Sequence, residues 1–473
     1  MPIQSVIKNI QNIMRQDPGV DGDAQRISQL VWMIFLKIFD DKEKEYEILT
    51  RNYKSPIPAN LRWRNWAANE EGITGDELLD FVNNKLFKGL KNIPSTGDSR
   101  GLIVRQVFED AYNYMKSGTL IRQVVNKINE IDFNRKEDRH LFNDLYEHIL
   151  KELQSAGNAG EYYTPRPLTQ FIVEMVAPKL GEKVLDPACG TGGFLVNIIE
   201  YIREREVKTP KDEKKLQDSL FGVEVKPLPH LLAITNLILH NIETPRQIRR
   251  TDMLGRPLRE YGPKDRVDVV VTNPPFGGVV AQGTEANFPA EFRTRETADL
   301  FLVLIMHLLK DGGRAGIVLP DGSLFGEGVK TKIKKKLLEE CNLHTIVRLP
   351  PGVFQPYAGV NTNLVFFDKG QPTKEIWYYQ LPLPEGIKQY TKNRGITFQE
   401  FEPVKKWWDN RKSNGNAWKV SIKEIEARNY NLDFKNPNGK ADLAHKPPAE
   451  LLDDIVKKEN EIGKILADIK RVL

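Results

Sequence analysis

From about residue 160 onward, short runs rich in valine and isoleucine alternate with helical stretches, and no other feature restricts the fold as much. Residues 183–186, 220–225, 267–272, 314–319, 344–349 and 364–368 read as strands. Apolar positions at helical spacing over 193–203, 229–241, 298–310 and 329–341 read as the helices between them. Repeated β-α units of this kind build a mainly parallel sheet with helices on both faces. Such sheets bind ligands beyond the carboxyl ends of their strands, so the residues just after each strand are where chemistry is expected.

The flanks have a different texture. Ile27, Leu30, Val31, Ile34, Phe35 and Ile38 follow the i, i+3, i+4, i+7 rule, and Trp32, Met33 and Leu36 widen that stripe, so this helix is expected to be buried on most sides. Similar periodicity over 76–88, 104–115, 119–131 and 137–155 makes residues 1–150 a helical domain. The sheet-forming domain is expected over 151–385, with the charged stretch 203–215 as a surface insertion. The segment 386–473 reads as a polar tail. It closes on a helix in which Leu452, Ile455, Ile462, Leu466, Ile469 and Leu473 keep heptad spacing around Glu459, a seam for a partner or for its own bundle.

Composition narrows the function classes. At 40% hydrophobic and 28% charged, 473 residues suffice for about three globular domains. Cys189 and Cys341 belong to no CxxC pair and the seven histidines do not cluster, so neither a disulfide framework nor a metal site is expected, and a reducing setting is. The N-terminus has no signal-peptide core, and the densest apolar run, 300–309, is too short to span a bilayer. A soluble, cytoplasmic protein with no membrane partner is therefore expected. A net charge of +5 tolerates a polyanionic partner without demanding one.

Three stretches carry chemistry. In KVLDPACGTGGFL, a strand ends at Asp186, a turn follows with Gly190, Thr191, Gly192 and Gly193, and a helix opens at Gly193 and Phe194. Glycines let backbone approach a ligand closely, and a helix N-terminus offers free N–H groups to an anion. The turn is neither a Walker loop nor a GxGxxG fingerprint. Cys189 reads as a small buried residue, since no His/Asp arrangement surrounds it. In FGVEV, Glu224 ends the second strand, where an acid can take both hydroxyls of a ribose or simply be solvated. VDVVVTNPPFGG is the sharpest signal: a nearly all-apolar strand delivers Asn273, Pro274, Pro275 and Phe276 to the same edge. The prolines hold Asn273 and Pro274 extended. The Asn273 amide oxygen and the Pro274 carbonyl can then both accept from one –NH₂ group. Two acceptors draw the lone pair of that amine out of conjugation, so no strong base is needed. Phe276 can stack on the ring that carries it.

Together, DPACGTGG and NPPF resemble the cofactor and catalytic motifs of S-adenosylmethionine-dependent amino-methyltransferases, the N6-adenine DNA enzymes in particular. AGEYYTPRPLT precedes the Gly-rich turn, as the remaining cofactor motif does in one class of them. Over nearly the whole chain, VWMIFLKIFDD, AGEYYTPRPL, LAITNLILHNI, RTDML, GVNTNLVFF and RNYNLDFKNP resemble the modification subunit of type I restriction–modification systems. Cys189, where members often carry Ala, and Pro229 depart from that pattern. The resemblance implies an α/β, Rossmann-like methyltransferase domain between an N-terminal helical domain and a C-terminal helical tail. It implies that Gly160, Glu161, Tyr162, Tyr163, Thr164 and Pro165 close over the methionine end of S-adenosylmethionine. Asp186, Gly190, Thr191, Gly192, Gly193 and Phe194 would line the cofactor, Glu224 would hold its ribose, and Asp252 with Met253 would contact its adenine. Asn273, Pro274, Pro275 and Phe276 would handle a target adenine flipped out of duplex DNA, because N6 is otherwise buried in the base pair. The implied partners are duplex DNA, a specificity subunit shared by two copies of this chain, and a restriction subunit in the full complex. The chain itself agrees in one respect: only about 100 residues follow the last strand, too few for a large DNA-reading domain. Two competing readings are amino-methylation of a protein glutamine or an RNA base, and a non-catalytic scaffold. The run Lys330, Lys332, Lys334, Lys335, Lys336 reads as a solvated helix face or as a phosphate contact.

Overall fold

The computed structural model describes residues 3–94, 99–133, 164–245, 247–355, 359–391, 393–438, 458, 459 and 462. Gly160, Glu161, Tyr162 and Tyr163, the helix expected over 137–155 and nearly all of the heptad helix lie outside the described residues.

The described residues before 134 are helical. The helix Asp23–Leu49 buries Trp32, Met33, Phe35 and Leu36 together with its core stripe, as the spacing predicts. Trp32 meets Phe87 and Phe108 edge-on, with ring centroids 5.0 and 6.2 Å away. The helix expected over 104–115 instead occupies Ser99–Asp110. Beyond it, Tyr114 N–H donates to Gln29 Oε1 (2.8 Å), and the amides of Lys116 and Ser117 donate to the Asp17 carboxylate (2.9 Å each). Side chains thus take the donors that helix carbonyls would have used, and the helix stops.

One nine-stranded sheet organises the remainder. Its strands are β1 (Val184–Asp186), β2 (Leu220–Glu224), β3 (Ile248–Arg250), β4 (Val267–Thr272), β5 (Leu309–Pro320), β6 (Cys341–Arg348), β7 (Thr362–Lys369), β8 (Glu375–Gln380) and β9 (Ala417–Ser421). They lie in the order β3-β2-β1-β4-β5-β7-β6-β8-β9. Strands β3, β2, β1, β4 and β5 are mutually parallel; β7 inserts antiparallel between β5 and β6, and β9 pairs antiparallel with β8. The helices Arg166–Val176, Gly193–Arg205 and Pro227–Leu239 share one core with the N-terminal helices, while Thr297–Leu308 and Val329–Glu340 belong to the core of the opposite face. Strand order reverses between β1 and β4, which makes their carboxyl ends the place for a ligand.

Two expectations need correction, and a third gains detail. The segment from 386 does not begin as a separate tail. Phe401, Val404 and Trp407 join the core, Phe401 stacks on Phe171 at 4.5 Å, and β9 completes the sheet. The boundary expected at 385/386 therefore falls inside one packed layer. The stretch 203–215 lies at the surface as expected but carries regular structure: a helix, Pro210–Ser219, starts there on a Thr209/Asp212 capping box. Leu216 anchors that helix in the core, and Arg203 pairs with Glu213. The lysine run is largely occupied. Lys334 is buried, donating to the carbonyls of Leu324 and Gly326, while Lys330, Lys335 and Lys336 pair with acids of the chain. Phosphate contact is thus disfavoured for these four.

The N-terminal helices reach the sheet through Asp23–Leu49, which packs on Pro227–Leu239. Lys42 Nζ donates to Asn241 Oδ1 (3.0 Å), and Arg250 at the end of β3 pairs with Asp110 (2.9 Å). Among the described residues, no helix is long and apolar enough to cross a membrane, and no group of three or more acid, histidine or cysteine side chains could hold a metal.

One glycine sets how closely the Gly-rich turn approaches β2. A Cβ on Gly222 would stand 2.9 Å from side-chain carbons of Leu195 and Ile248 and 3.1 Å from Cys189 Sγ. Gly222→Val should therefore lower stability by about 1–3 kcal/mol through overpacking and push the turn off its strand. Urea denaturation measures the first effect; unchanged midpoint and cofactor affinity would refute this account of the joint.

Candidate active site

Asp186 ends β1 in full burial. Its Oδ1 accepts from Ala188 N–H (3.2 Å), whereas Oδ2 has no hydrogen-bond partner among the described residues. Burial pushes this carboxyl up to about 7; the nearby Thr272 hydroxyl and the Ala188 amide oppose the rise, and the negative charge of Glu224 adds a smaller push upward. The turn that follows needs its glycines: Gly190 and Gly192 have φ of +53° and +81°, and the helix opens directly after at Gly193. A Cβ built on Gly190 or Gly193 would meet nothing within 4 Å, so the space above the turn is open.

Backbone bonds tie the turn to β2. Cys189 N–H donates to Val223 O (2.9 Å), and Gly190 N–H to Glu224 Oε2 (3.0 Å). Lys226 N–H holds the other oxygen of Glu224 at 2.8 Å. Burial raises this carboxyl above the ordinary range, and the two amides oppose the rise. Burial also lifts the Cys189 thiol well above its ordinary value, in keeping with a packing residue and not a nucleophile. At the end of β3, Thr251 N–H donates to Glu224 O (3.2 Å), one residue before Asp252. Asp252 is exposed and accepts from Leu254 N–H at 2.9 Å. Met253 lends its carbonyl to Tyr261 Oη at 2.7 Å.

At the end of β4, Asn273 Nδ2 donates to Thr164 Oγ1 (2.9 Å). Thr164 of the first expected motif thus meets the Asn-Pro-Pro-Phe stretch. Asn273 Oδ1 is buried without a partner among the described residues. Phe276 is not an open platform in this structure: its ring is 2% exposed and lies edge-on to Phe354, centroids 5.9 Å apart. Pro274 is buried and Pro275 half-buried.

The structure adds supports that the sequence reading missed. Asn236, in the apolar helix Pro227–Leu239, donates from Nδ2 to Thr191 O (3.2 Å) and braces the turn from outside. Thr297 fixes the loop after Phe276, donating to Gly278 O from its amide (3.0 Å) and its hydroxyl (2.8 Å). An amide inside an otherwise apolar helix was a legible signal for Asn236; Thr297 carried none. Phe354, placed by its ring contact alone, also had no local signature.

An open sheet of this order, with a Gly-rich turn after β1, an acid after β2 and Asn-Pro-Pro-Phe after β4, defines a group-transfer enzyme of the methyltransferase class. Residues 137–446 match the N-6 DNA Methylase family, and residues 3–128 match the HsdM N-terminal domain. The type I restriction enzyme EcoEI methylase subunit of Escherichia coli is 57% identical, over 100% of this chain and 98% of its own length. A modification subunit of a putative type I restriction enzyme from Vibrio vulnificus superposes with a TM-score of 0.84 at 47% identity, covering 93% of this chain and 97% of that one. A chain from structural work on assembly and conformational transition of the type I R-M system gives 0.81 at 37%, covering 100% and 98%. The chain belongs to the N-6 DNA methylase family, as a methylase subunit of a type I restriction enzyme. It is an adenine-specific DNA methyltransferase, and the readings as a glutamine or RNA methyltransferase fall away.

The buried carboxyl of Asp186 has a consequence for stability. It keeps its proton to about pH 7 in the folded chain, against an ordinary value of 3.8. The folded state then binds more protons than the unfolded one between those values, so stability falls as pH rises through that window. Asp186→Asn, which cannot ionise, should be more stable than the parent at pH 8 by roughly 2–4 kcal/mol and equal to it near pH 4. Thermal melts of the cofactor-free protein across pH measure this; a variant less stable at pH 8 would contradict it.

Proposed function

We propose that the site methylates adenine N6 with S-adenosylmethionine held between the carboxyl ends of β1, β2 and β3. The residues present fit that cofactor. A buried carboxyl, Asp186, and a half-buried one, Glu224, suit a ligand carrying a sulfonium and an ammonium, because a cation favours the ionised acids that desolvation disfavours. The orphan Asp186 Oδ2 and the open space over Gly190 and Gly193 leave a polar atom and room for it. In this reading Glu224 takes the ribose hydroxyls, Asp252 with Met253 borders the adenine, and residues 160–165 close the methionine end. When bound, the cofactor supplies an electrophilic methyl group.

The chain's own residues handle the amine. Asn273 Oδ1 and Pro274 O accept its two N–H groups, which draws the nitrogen lone pair out of conjugation with the ring and localises it on the side where the methyl donor would lie. No strong base is required, since the proton leaves to solvent only after the nitrogen has gained the methyl group and become cationic. The observation that carries this reading is Asn273: its Nδ2 is committed to Thr164, and its Oδ1 is a buried acceptor with nothing to accept. Phe276 and Phe354 form the aromatic wall, and an adenine stacks there only if their edge-on packing opens.

The assembly we propose pairs two copies of this chain with one specificity subunit on duplex DNA, joined by a restriction subunit in the full complex, in the cytoplasm. A net charge of +5 on 473 residues gives the lone chain only a modest electrostatic footprint. Sequence-selective binding should therefore appear only with the specificity subunit, as gel shifts against matched and scrambled duplexes would report. The heptad-patterned segment 452–473 is the proposed dock for that subunit.

Two substitutions separate the roles. Glu224→Ala should weaken S-adenosylmethionine binding by about 1–3 kcal/mol, the cost of losing hydrogen bonds to a charged acceptor. Asn273→Ala should abolish transfer of labelled methyl to duplex DNA and leave cofactor affinity nearly intact, because its contact strengthens as the nitrogen turns tetrahedral. Calorimetry and a methyl-transfer assay with the specificity subunit present measure both. Near parental turnover in Asn273→Ala would end this assignment.

A further inference from the structure

We infer that a second cleft on the same sheet edge, about 1120 Å³ in volume, seats bases of the DNA strand beside the target adenine. The inference rests on the adenine-methylating reading of the site. The cleft lies where β5, β6 and β8 end and β7 begins, and two stretches that the active site leaves unused meet in it. From GVNTNLVFF come Asn361 and Asn363; from RNYNLDFKNP come Asp433 and Lys435. Arg348, at the end of β6, locks the second stretch in place through Asp433 Oδ1 (2.5 Å) and Phe434 O (2.9 Å).

Position ties the cleft to DNA. Strands lie about 4.8 Å apart, so β7, β6 and β8 stand roughly 10, 14 and 19 Å from β4, which carries Asn273. Along a duplex at about 3.4 Å per nucleotide, that range covers three to six nucleotides from the flipped base. The volume exceeds the ~300–1,000 Å³ usual for a single small ligand.

Chemistry points to bases and not to phosphates. Arg348 and Lys435 are balanced by Asp321 and Asp433, so the walls carry no net charge to attract a backbone. They carry carboxamides instead, which match the donor and acceptor edges of bases. Asn363 is the second observation. It is 0% exposed and its Nδ2 donates to Asp321 Oδ1 at 2.7 Å, while its Oδ1 has no hydrogen-bond partner among the described residues. Asn361 and Gln380 stand exposed at the rim.

Cross-linking tests this directly. Both native cysteines are buried, so Asn361→Cys supplies an accessible thiol. The variant, assembled with the specificity subunit, is presented with duplexes bearing a thiol-tethered base at successive distances from the target adenine. Disulfide formation should peak within about six nucleotides of the adenine and be absent at a full turn or more beyond it. In parallel, Asn361→Ala with Gln380→Ala should raise the KM for duplex DNA about tenfold, with S-adenosylmethionine affinity unchanged. Cross-linking that ignores position, or an unchanged KM, would overturn the inference. So would loss of the specificity subunit from the double variant, which would assign the cleft to a protein partner. Methyl transfer by the parental complex, scored alongside, keeps failure here distinct from failure of the adenine-methylating reading.

Discussion

The site depends on two backbone amides of one turn being held by the neighbouring strand. Cys189 N–H is given to Val223 O and Gly190 N–H to Glu224 Oε2, so the Gly-rich turn and Glu224 are a single hydrogen-bonded unit. Glu224 is aimed by the turn's own amide and by Lys226 N–H, and the turn is pulled down on β2 where Gly222 leaves room for Cys189 and Leu195. Asn236 then closes the unit from the helix side by holding Thr191 O. Three short stretches far apart in sequence therefore act as one cradle.

That cradle is built at an electrostatic cost. Asp186 is buried and Glu224 half-buried; desolvation raises both carboxyls, and the charge of Glu224 adds to the rise at Asp186. A fold selected for stability alone would place neutral groups there. The arrangement is stable once a cation shares the space, and S-adenosylmethionine brings two positive groups. The stored penalty and the proposed ligand have opposite signs, which is how a site gains selectivity for a charged cofactor over neutral analogues.

Much of this was legible in the sequence because the signals were local. β4 shows as a run of valines, and Asn-Pro-Pro-Phe follows it without a gap; the Gly-rich turn follows β1 in the same way. β3 was invisible because Ile248–Arg250 buries only its isoleucine and offers no apolar run. β9 was hidden for a related reason: Ala417–Ser421 sits in polar sequence, and its strand character comes from pairing with β8. Phe276 reads from the sequence as a stacking surface, yet its ring is packed on Phe354, from a segment some 80 residues later. Tertiary contacts of this kind leave no local signature. Two lysines of Val329–Glu340 teach the same lesson in charge: the partners of Lys330 and Lys334, namely Glu296, Asp299 and the carbonyls near Leu324, come from elsewhere in the chain, whereas Lys335 and Lys336 pair within their own helix.

The bond between Thr164 and Asn273 deserves its place in the mechanism because an amide has two opposite ends. If Asn273 Nδ2 were free, the side chain could rotate and present a donor to the substrate amine, which is itself a donor, and the contact would be repulsive. Thr164 Oγ1 accepts from Nδ2 and thereby leaves Oδ1 as the only pole that can face the amine. Thr164 belongs to the motif proposed to close over the methionine end of the cofactor. The placement of Thr164 and the polarity of the Asn273 amide are then, in the proposed scheme, one and the same contact. In the proposed scheme the acceptor is presented to adenine when the segment around Thr164 is seated, so the methyl donor and the polarity needed to use it arrive together.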